Sequence, residues 1–367
     1  MRLGDVASYI NGFPFKPSDW SDMGVPIIRI QDLTGNGYQM NRFDGKYDAK
    51  YEVRAGDVLI SWSASLGVYV WKLETAVLNQ HIFKVRFDKV DVDKDFFVYQ
   101  VECLLKKAAR QAHGATMRHL TKPVFDGLPF YLPPKEEQKR IAVQLNAITH
   151  LISLRQRQAE KLDELVKARF VEMFGEGKYG GNPLSNVCKL ITDGTHQPPQ
   201  FVDAGIPFLL VSNLVHNEIT YDTEKFISKE SYQELIKRTP VEIGDILLSI
   251  VGSYGHAGVV RTDKPFCFQR HIAYIKPDFS KLNSEFLHHA LLSDAVKYQM
   301  EKRVKGIAQK TLNLSELKKI VVPIPPLALQ TEFSHFVHEV DREKERIQRS
   351  AALLETLKRS LMQQYFG

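Results

Sequence analysis

What this 367-residue chain lacks narrows its possible roles before any of its motifs are considered. It has three cysteines, Cys103, Cys188 and Cys267, far apart and without Cys-x-x-Cys spacing. Neither a disulfide framework nor a cysteine zinc site is encoded, and a reducing cytoplasm fits. No apolar run approaches the roughly 18 residues a membrane span needs, and Met1-Arg2-Leu3-Gly4-Asp5 opens without an apolar leader, so neither export nor a membrane is expected. A phosphate loop ending in Gly-Lys-Ser/Thr is missing. Gly175-Glu176-Gly177-Lys178-Tyr179 has the wrong spacing and follows a helical stretch where it should precede one. His196-Gln197-Pro198-Pro199-Gln200 lacks the amide or carboxylate before the prolines, and the aromatic after them, that would hold a flipped adenine for methyl transfer. Pro277-Asp278 is followed by no Asp/Glu-x-Lys at useful spacing for a Mg²⁺ nuclease. The twelve histidines, His288-His289 and His335/His338 among them, form no ligand set with nearby Cys or acidic residues. No catalytic, cofactor-binding or metal-ligating residue is expected in this chain.

What is present is an ordinary core-forming composition, 44% hydrophobic and 25% charged. The net charge of +6 favours an anionic partner without demanding one. The chain is also written twice. Leu3 falls on Leu184 and Gly24-Val25-Pro26-Ile27 on Gly205-Ile206-Pro207-Phe208 at an offset of 181. Gly56-Asp57-Val58-Leu59-Ile60-Ser61 falls on Gly244-Asp245-Ile246-Leu247-Leu248-Ser249 at 188, and His81-Ile82 on His271-Ile272 at 190. From Gly114/Gly306 through Pro133-Pro134/Pro325-Pro326 and Gln138/Gln330 to Phe174-Gly175/Phe366-Gly367 the offset is constant at 192. Small loop insertions in a tandem duplication produce that pattern.

In each half, short strand-like runs such as Pro26–Ile30, Asp57–Ser61 and Ile82–Phe87 surround one helical stretch near Asp95–Arg110, which predicts a mixed α/β domain. Beyond each double proline the pattern turns helical. Phe333, Val337, Val340, Lys344, Ile347, Ala351, Leu354, Lys358 and Leu361 alternate steps of four and three. Ile141, Leu145, Ile148, Ile152, Arg155, Ala159, Leu162, Val166 and Arg169 repeat that seam. Roughly 38 residues per helix make a rod of about 57 Å. The rods are expected to pair as an antiparallel coiled coil with the domains at opposite ends, the charged seam residues covering apolar surface with their stems while their charges reach water. The alternative is that each helix packs on its own domain. The expected division is 1–135 and 178–327 for the two domains, 136–177 and 328–367 for the two helices.

The remaining motifs are paired loops. Asp193-Gly194-Thr195-His196 follows a strand-like segment, Cys188–Thr192, and its counterpart is Asn11-Gly12-Phe13-Pro14-Phe15-Lys16. Glycine permits close backbone approach, and Lys16, Thr195 and His196 suit phosphates and base edges; an ordinary tight turn fits these strings equally. After each Gly-Asp strand comes a small-residue loop, with Ser63 and Ser65 in the first half and Ser253 and Tyr254 in the second. Trp62 and Tyr254 suit either a sugar or base contact or the core. Asn79-Gln80 and Gln269-Arg270 occupy equivalent places, with amides and a guanidinium suited to adenine and guanine edges. Basic runs surround the paired glycines: Lys107, Arg110, Thr116 and Arg118 near Gly114, and Arg303, Lys305, Gln309 and Lys310 near Gly306, as expected of phosphate contacts.

Two α/β domains, each ending in a Gly-x-Thr or Gly-x-x-x-x-Thr loop (Gly114-Ala115-Thr116, Gly306-Ile307-Ala308-Gln309-Lys310-Thr311) and a Pro-Pro-x-x-x-Gln helix start (Pro133–Gln138, Pro325–Gln330), resemble the specificity subunits of type I restriction-modification systems. Asp193-Gly194-Thr195-His196 resembles a string common in their recognition domains; the first half lacks it, and Ala328-Leu329 stands where an acidic residue often precedes the glutamine. The resemblance implies a non-catalytic, sequence-specific DNA-binding subunit in which each domain reads one half of a bipartite, asymmetric site in double-stranded DNA. The helix pair would set the spacer and dock two modification (methyltransferase) subunits, joined by two restriction subunits. S-adenosylmethionine, ATP and Mg²⁺ would be used by those partners and not by this chain. A partner of a modification-only or fused restriction-methyltransferase system is an alternative, as is a coiled-coil scaffold without sequence preference.

Overall fold

The computed structural model describes residues 1–35, 39–111, 120–175, 177–197, 199–306 and 309–367. They form two compact units, 1–156 with 349–367, and 157–348.

In the first unit an antiparallel four-stranded sheet runs in the order Ser8–Asn11, Ile82–Arg86, Val58–Ser61, Gly67–Val70. A second sheet orders Arg42–Phe43, Val25–Ile28, Ala76–Leu78 and Glu52–Val53, with Ile27 and Val77 in parallel register. The second unit repeats the first sheet as Cys188–Asp193, Ile272–Pro277, Ile246–Ser249, Ala257–Val259. Its other sheet matches in three strands, Phe226–Ile227, Ile206–Leu209 and Cys267–Phe268, again with one parallel pair. The fourth strand differs. The first unit adds Glu52–Val53 beside Ala76–Leu78, whereas the second adds Phe201–Val202 beside Phe226–Ile227 and places a helix, Lys229–Leu235, before the Gly-Asp turn.

That turn shows why the repeated strings recur. Gly56 and Gly244 have φ of +95° and +94°, a conformation that glycine adopts without strain. The following Asp57 and Asp245 each accept a hydrogen bond from the backbone three residues back, at 2.9 and 2.8 Å. The strands that follow, Val58–Ser61 and Ile246–Ser249, are buried at every position, so their β-branched and leucine side chains fill the layers on both faces.

Helix Lys94–Gln111 packs in the first unit, its first turn capped by Asp93, which accepts from the backbone N–H groups of Asp95 and Phe96. Asn283 does the same for Ser284–Leu292 in the second unit. The long helices are Lys135–Phe174 and Leu327–Phe366, 40 residues each, so the first starts one residue before and ends three before the expected limits. All eighteen seam positions are buried or half-buried. In the first unit Ile141 and Leu145 share a core with Leu361, Met362 and Phe366, and the Tyr365 hydroxyl donates to Gln144 Oε1 at 2.6 Å. In the second, Val166, Phe170 and Phe174 share a core with Phe333, Val337 and Val340. The start of one helix therefore meets the end of the other in both units, as antiparallel pairing requires. The seam charges do not simply reach water: Lys344 Nζ lies 2.6 Å from Asp163 on the opposite helix, and Arg169 pairs with Glu172 and Glu332.

Candidate nucleic-acid interface

Four candidate loops of the second unit are brought together by backbone hydrogen bonds. Gly194 N–H donates to Ile272 O (3.1 Å), Thr195 N–H to Phe268 O (3.1 Å), and Arg270 N–H back to Thr195 O (3.0 Å), joining the Asp-Gly-Thr-His loop to the Gln-Arg-His loop. Ile250 N–H donates to His271 O (2.9 Å) and Leu312 N–H to Ile250 O (2.8 Å), while Gly252 N–H reaches Lys310 O (2.8 Å). The serine loop and the basic loop thus join the same cluster. Lys305 and Thr311 close the basic loop by exchanging backbone hydrogen bonds of 3.0 and 2.8 Å.

The first unit repeats this bracing. Gly12 N–H donates to Ile82 O (3.1 Å), Phe13 N–H to Leu78 O (2.8 Å), Gln80 N–H to Phe13 O (2.9 Å), Trp62 N–H to His81 O (3.3 Å) and Leu120 N–H to Trp62 O (3.0 Å). Glycine is demanded by the joint itself. A Cβ at Gly194 would stand 2.2 Å from Phe268 O, and one at Gly12 2.0 Å from Asn79 O. The close approach these glycines permit is to their own neighbouring loop. A buried serine organises each small-residue loop: Ser61 Oγ donates to Ser65 O (2.6 Å), and Ser249 Oγ accepts from His256 N–H (3.0 Å). At the equivalent tips Ala64 and Gly252 both have positive φ, +57° and +75°.

The candidate side chains fall into four groups. Lys16, Ser65, Gln80, Arg110, His196, Arg270, Lys305, Gln309 and Lys310 are exposed on these loops or, for Arg110, in the last turn of its helix. Others are engaged within the protein. Lys107 Nζ donates to Phe366 O (2.7 Å), satisfying a carbonyl at the end of the second long helix. Arg303 donates to Gln299 O (3.0 Å) and faces Glu316 at 3.8 Å. Tyr254 packs half-buried against the core. Trp62 likewise stacks on Phe83, with centroids 5.5 Å apart. Ser253 Oγ meets His256 Nε2 (3.0 Å), the Thr195 hydroxyl donates to Gln197 O (2.9 Å), and Asn79 Oδ1 accepts from Gln80 N–H (2.8 Å). Ser63 and Gln269 are half-buried. Thr116 and Arg118 lie outside the described residues.

The duplicated geometry matches a known family. Residues 1–164 and 187–355 each match the family described as "Type I restriction modification DNA specificity domain". The chain belongs to this family. It is 26% identical over 404 residues to the type I restriction enzyme EcoBI specificity subunit of Escherichia coli, covering all of this chain and 85% of that one. Identity to the MjaVIII specificity subunit of Methanocaldococcus jannaschii is 22% over 383 residues, covering 95% and 89%. Among solved structures, a chain from a study of complex assembly and conformational transition of the type I system superposes with a TM-score of 0.60 at 18% identity, covering 100% of this chain and 96% of that chain. The type I specificity subunit from M. genitalium superposes at 0.55 and 15%, covering 100% and 95%. These likenesses show the fold.

Membership gives the Pro-Pro-x-x-x-Gln string a physical reading in this specificity chain. Gln138 is 2% exposed; its Oε1 accepts from Asp93 N–H (2.8 Å) and its Nε2 donates to Pro133 O (2.8 Å). Gln330, fully buried, does the same with Asn283 N–H (2.8 Å) and Pro325 O (2.9 Å), and adds Lys281 O (2.9 Å). Each glutamine ties the start of a long helix to the cap of the helix in its unit.

Two features escaped the sequence. Arg238 reaches the buried Asp193 carboxylate, which also holds His196 Nε2 at 3.0 Å, so the Asp-Gly-Thr-His string is completed by a residue 45 positions away. In addition, Glu285, His288 and His289 bring ligand atoms within 4.8 Å of one another, an acidic partner that the sequence reading did not give the histidine pair. Arg261, however, takes both Glu285 oxygens at 2.7 and 3.0 Å, and His288 Nε2 lies 3.0 Å from Ala257 O. Burial holds both imidazoles below their ordinary range, His289 down to about 3 with help from His288 and Arg261. The cluster is an ion pair between the buried Glu285 carboxylate and an exposed Arg261, beside two neutral rings. Burial also pushes the thiols of Cys188 and Cys267 up to about 12, which removes them as nucleophiles at neutral pH. Among the described residues, no helix is long and apolar enough to cross a membrane.

Proposed function

We propose that this chain reads DNA for a type I restriction-modification complex, each α/β unit recognising one half of a bipartite, asymmetric site. The observation carrying this reading is that, among the described residues, the same backbone bracing joins three candidate loops in each copy, on different side chains: Lys16 and Gln80 in one copy, His196 and Arg270 in the other, where Lys305 and Lys310 of the basic loop join them. Identical backbone bracing with different exposed groups is what two readers of two half-sites require, because base identity is read by side chains on a fixed frame. The antiparallel helix pair fixes the spacer and docks two modification subunits, with two restriction subunits completing the assembly. The chain supplies no catalysis; S-adenosylmethionine, ATP and Mg²⁺ serve the partner subunits.

The test is to co-express the chain with its neighbouring methyltransferase and map N6-methyladenine across the host genome by single-molecule sequencing. One motif split by a fixed unread spacer is expected. An unsplit motif, or no methylation, contradicts the reading.

A further inference from the structure

The two copies differ in a concerted way beside the Asp-Gly-Thr-His loop. The strands Arg42–Phe43 and Phe226–Ile227 are equivalent, since Phe43 and Ile227 hold the same register against Val25 and Ile206. From there to Gly56 and Gly244 the offset grows from 184 to 188, so the second copy is four residues longer. Where the first copy makes a short turn, Ala49–Tyr51, and the edge strand Glu52–Val53, the second makes the helix Lys229–Leu235, and Arg238 follows it. Arg238 then reaches Asp193.

In the first copy both partners are absent together. Asn11 stands where the second has Asp193, and its Oδ1 accepts from Trp62 Nε1 at 3.2 Å. Lys50, in the segment that replaces the helix, pairs with its own neighbour Asp48 at 3.0 Å. The acid and the arginine it holds are therefore a unit peculiar to the second copy.

The chemistry of that unit points outward. The Asp193 side chain is 10% exposed, whereas those of Arg238 and His196 are 51% and 52% exposed. Arg238 Nη2 lies 3.3 Å from His196 Nε2, so two nitrogen-bearing side chains stand together on the loop that Arg270 braces. Asp193 anchors the guanidinium through Nη2, which leaves further N–H groups to donate to a base edge, as guanine O6 and N7 require. We propose that Arg238, oriented by Asp193, is a specificity-determining residue of the second unit and reads a guanine in its half-site. This rests on the DNA-reading function proposed above.

The experiment uses the complex of the full chain with its modification subunits. Methylation is measured on a panel of duplexes in which each base of the mapped motif is replaced in turn. For Arg238→Ala, discrimination at one guanine of one half-site is expected to fall by roughly 5- to 150-fold, with the other half-site unchanged. Asp193→Asn should relax the same position. The double variant Asp193→Asn/Arg238→Gln removes the buried charge with its partner, and it must give the same single-position relaxation if Arg238→Ala fails to fold. Unchanged preference at every base, or a uniform loss at all positions with a shallower salt dependence, overturns the proposal, the latter marking a phosphate contact. A wild-type complex with no split motif would instead overturn the underlying function.

Discussion

Replacing Gln330 by leucine is expected to destabilise the second unit by about 3–5 kcal/mol. The side chain is fully buried, and its three hydrogen bonds, from Asn283 N–H and to Lys281 O and Pro325 O, have no substitute in an apolar isostere. Each buried polar group left without a partner costs about 1–3 kcal/mol, and partial relaxation keeps the total below the simple sum. Thermal unfolding followed by circular dichroism should show a midpoint lowered on the order of 10 °C. The corresponding change at Gln138, which makes two such bonds, should cost less. A Gln330→Leu midpoint within about 2 °C of wild type would remove the glutamine clamp from this account.

The second large effect is acid destabilisation through His289 and His288. In the folded chain burial holds His289 neutral down to about pH 3, the neighbouring His288 and Arg261 acting in the same direction. Unfolded, it titrates near 6.5. Above pH 6.5 neither state takes the proton and the full stability is present. As the pH falls from 6.5 towards 3 only the unfolded chain is protonated, so stability is lost at about 1.4 kcal/mol per pH unit, roughly 2.5 kcal/mol by pH 4.5 from His289 alone. His288, also lowered mainly by burial, adds to the loss. Urea unfolding at pH 7.0 and 4.5 measures it. His289→Gln should start less stable, because the ring contact with Phe333 is lost, yet fall less between the two pH values. Equal losses in variant and wild type would contradict the assignment.

Much of the fold was legible because duplication wrote it twice. A glycine needed for positive φ at Gly56 must be needed again at Gly244, and the glutamine that clamps one helix start recurs 192 residues on. The heptad seam was legible because its period is a property of the helix itself. The site was legible only as far as its backbone: among the described residues the paired loops converge as their positions suggested, but side-chain fates depend on contacts that no spacing records. Lys107 meets a carbonyl 259 residues away, and Tyr254 turns inward against the core. Arg238 lies on a segment without a counterpart in the first copy, so the internal comparison that exposed every other loop passed over it. The Glu285–His288–His289 spacing stood in the sequence, while Arg261, which occupies the carboxylate, arrives from another strand end.

The central claim, that the two copies read two half-sites independently, is tested most directly by exchanging residues 178–327 for the corresponding segment of another specificity subunit and mapping N6-methyladenine. A new sequence is expected in one half-site, with the other half-site and the spacer length unchanged. A folded, assembled exchange variant that changes both half-sites together, or leaves the motif as it was, would contradict it.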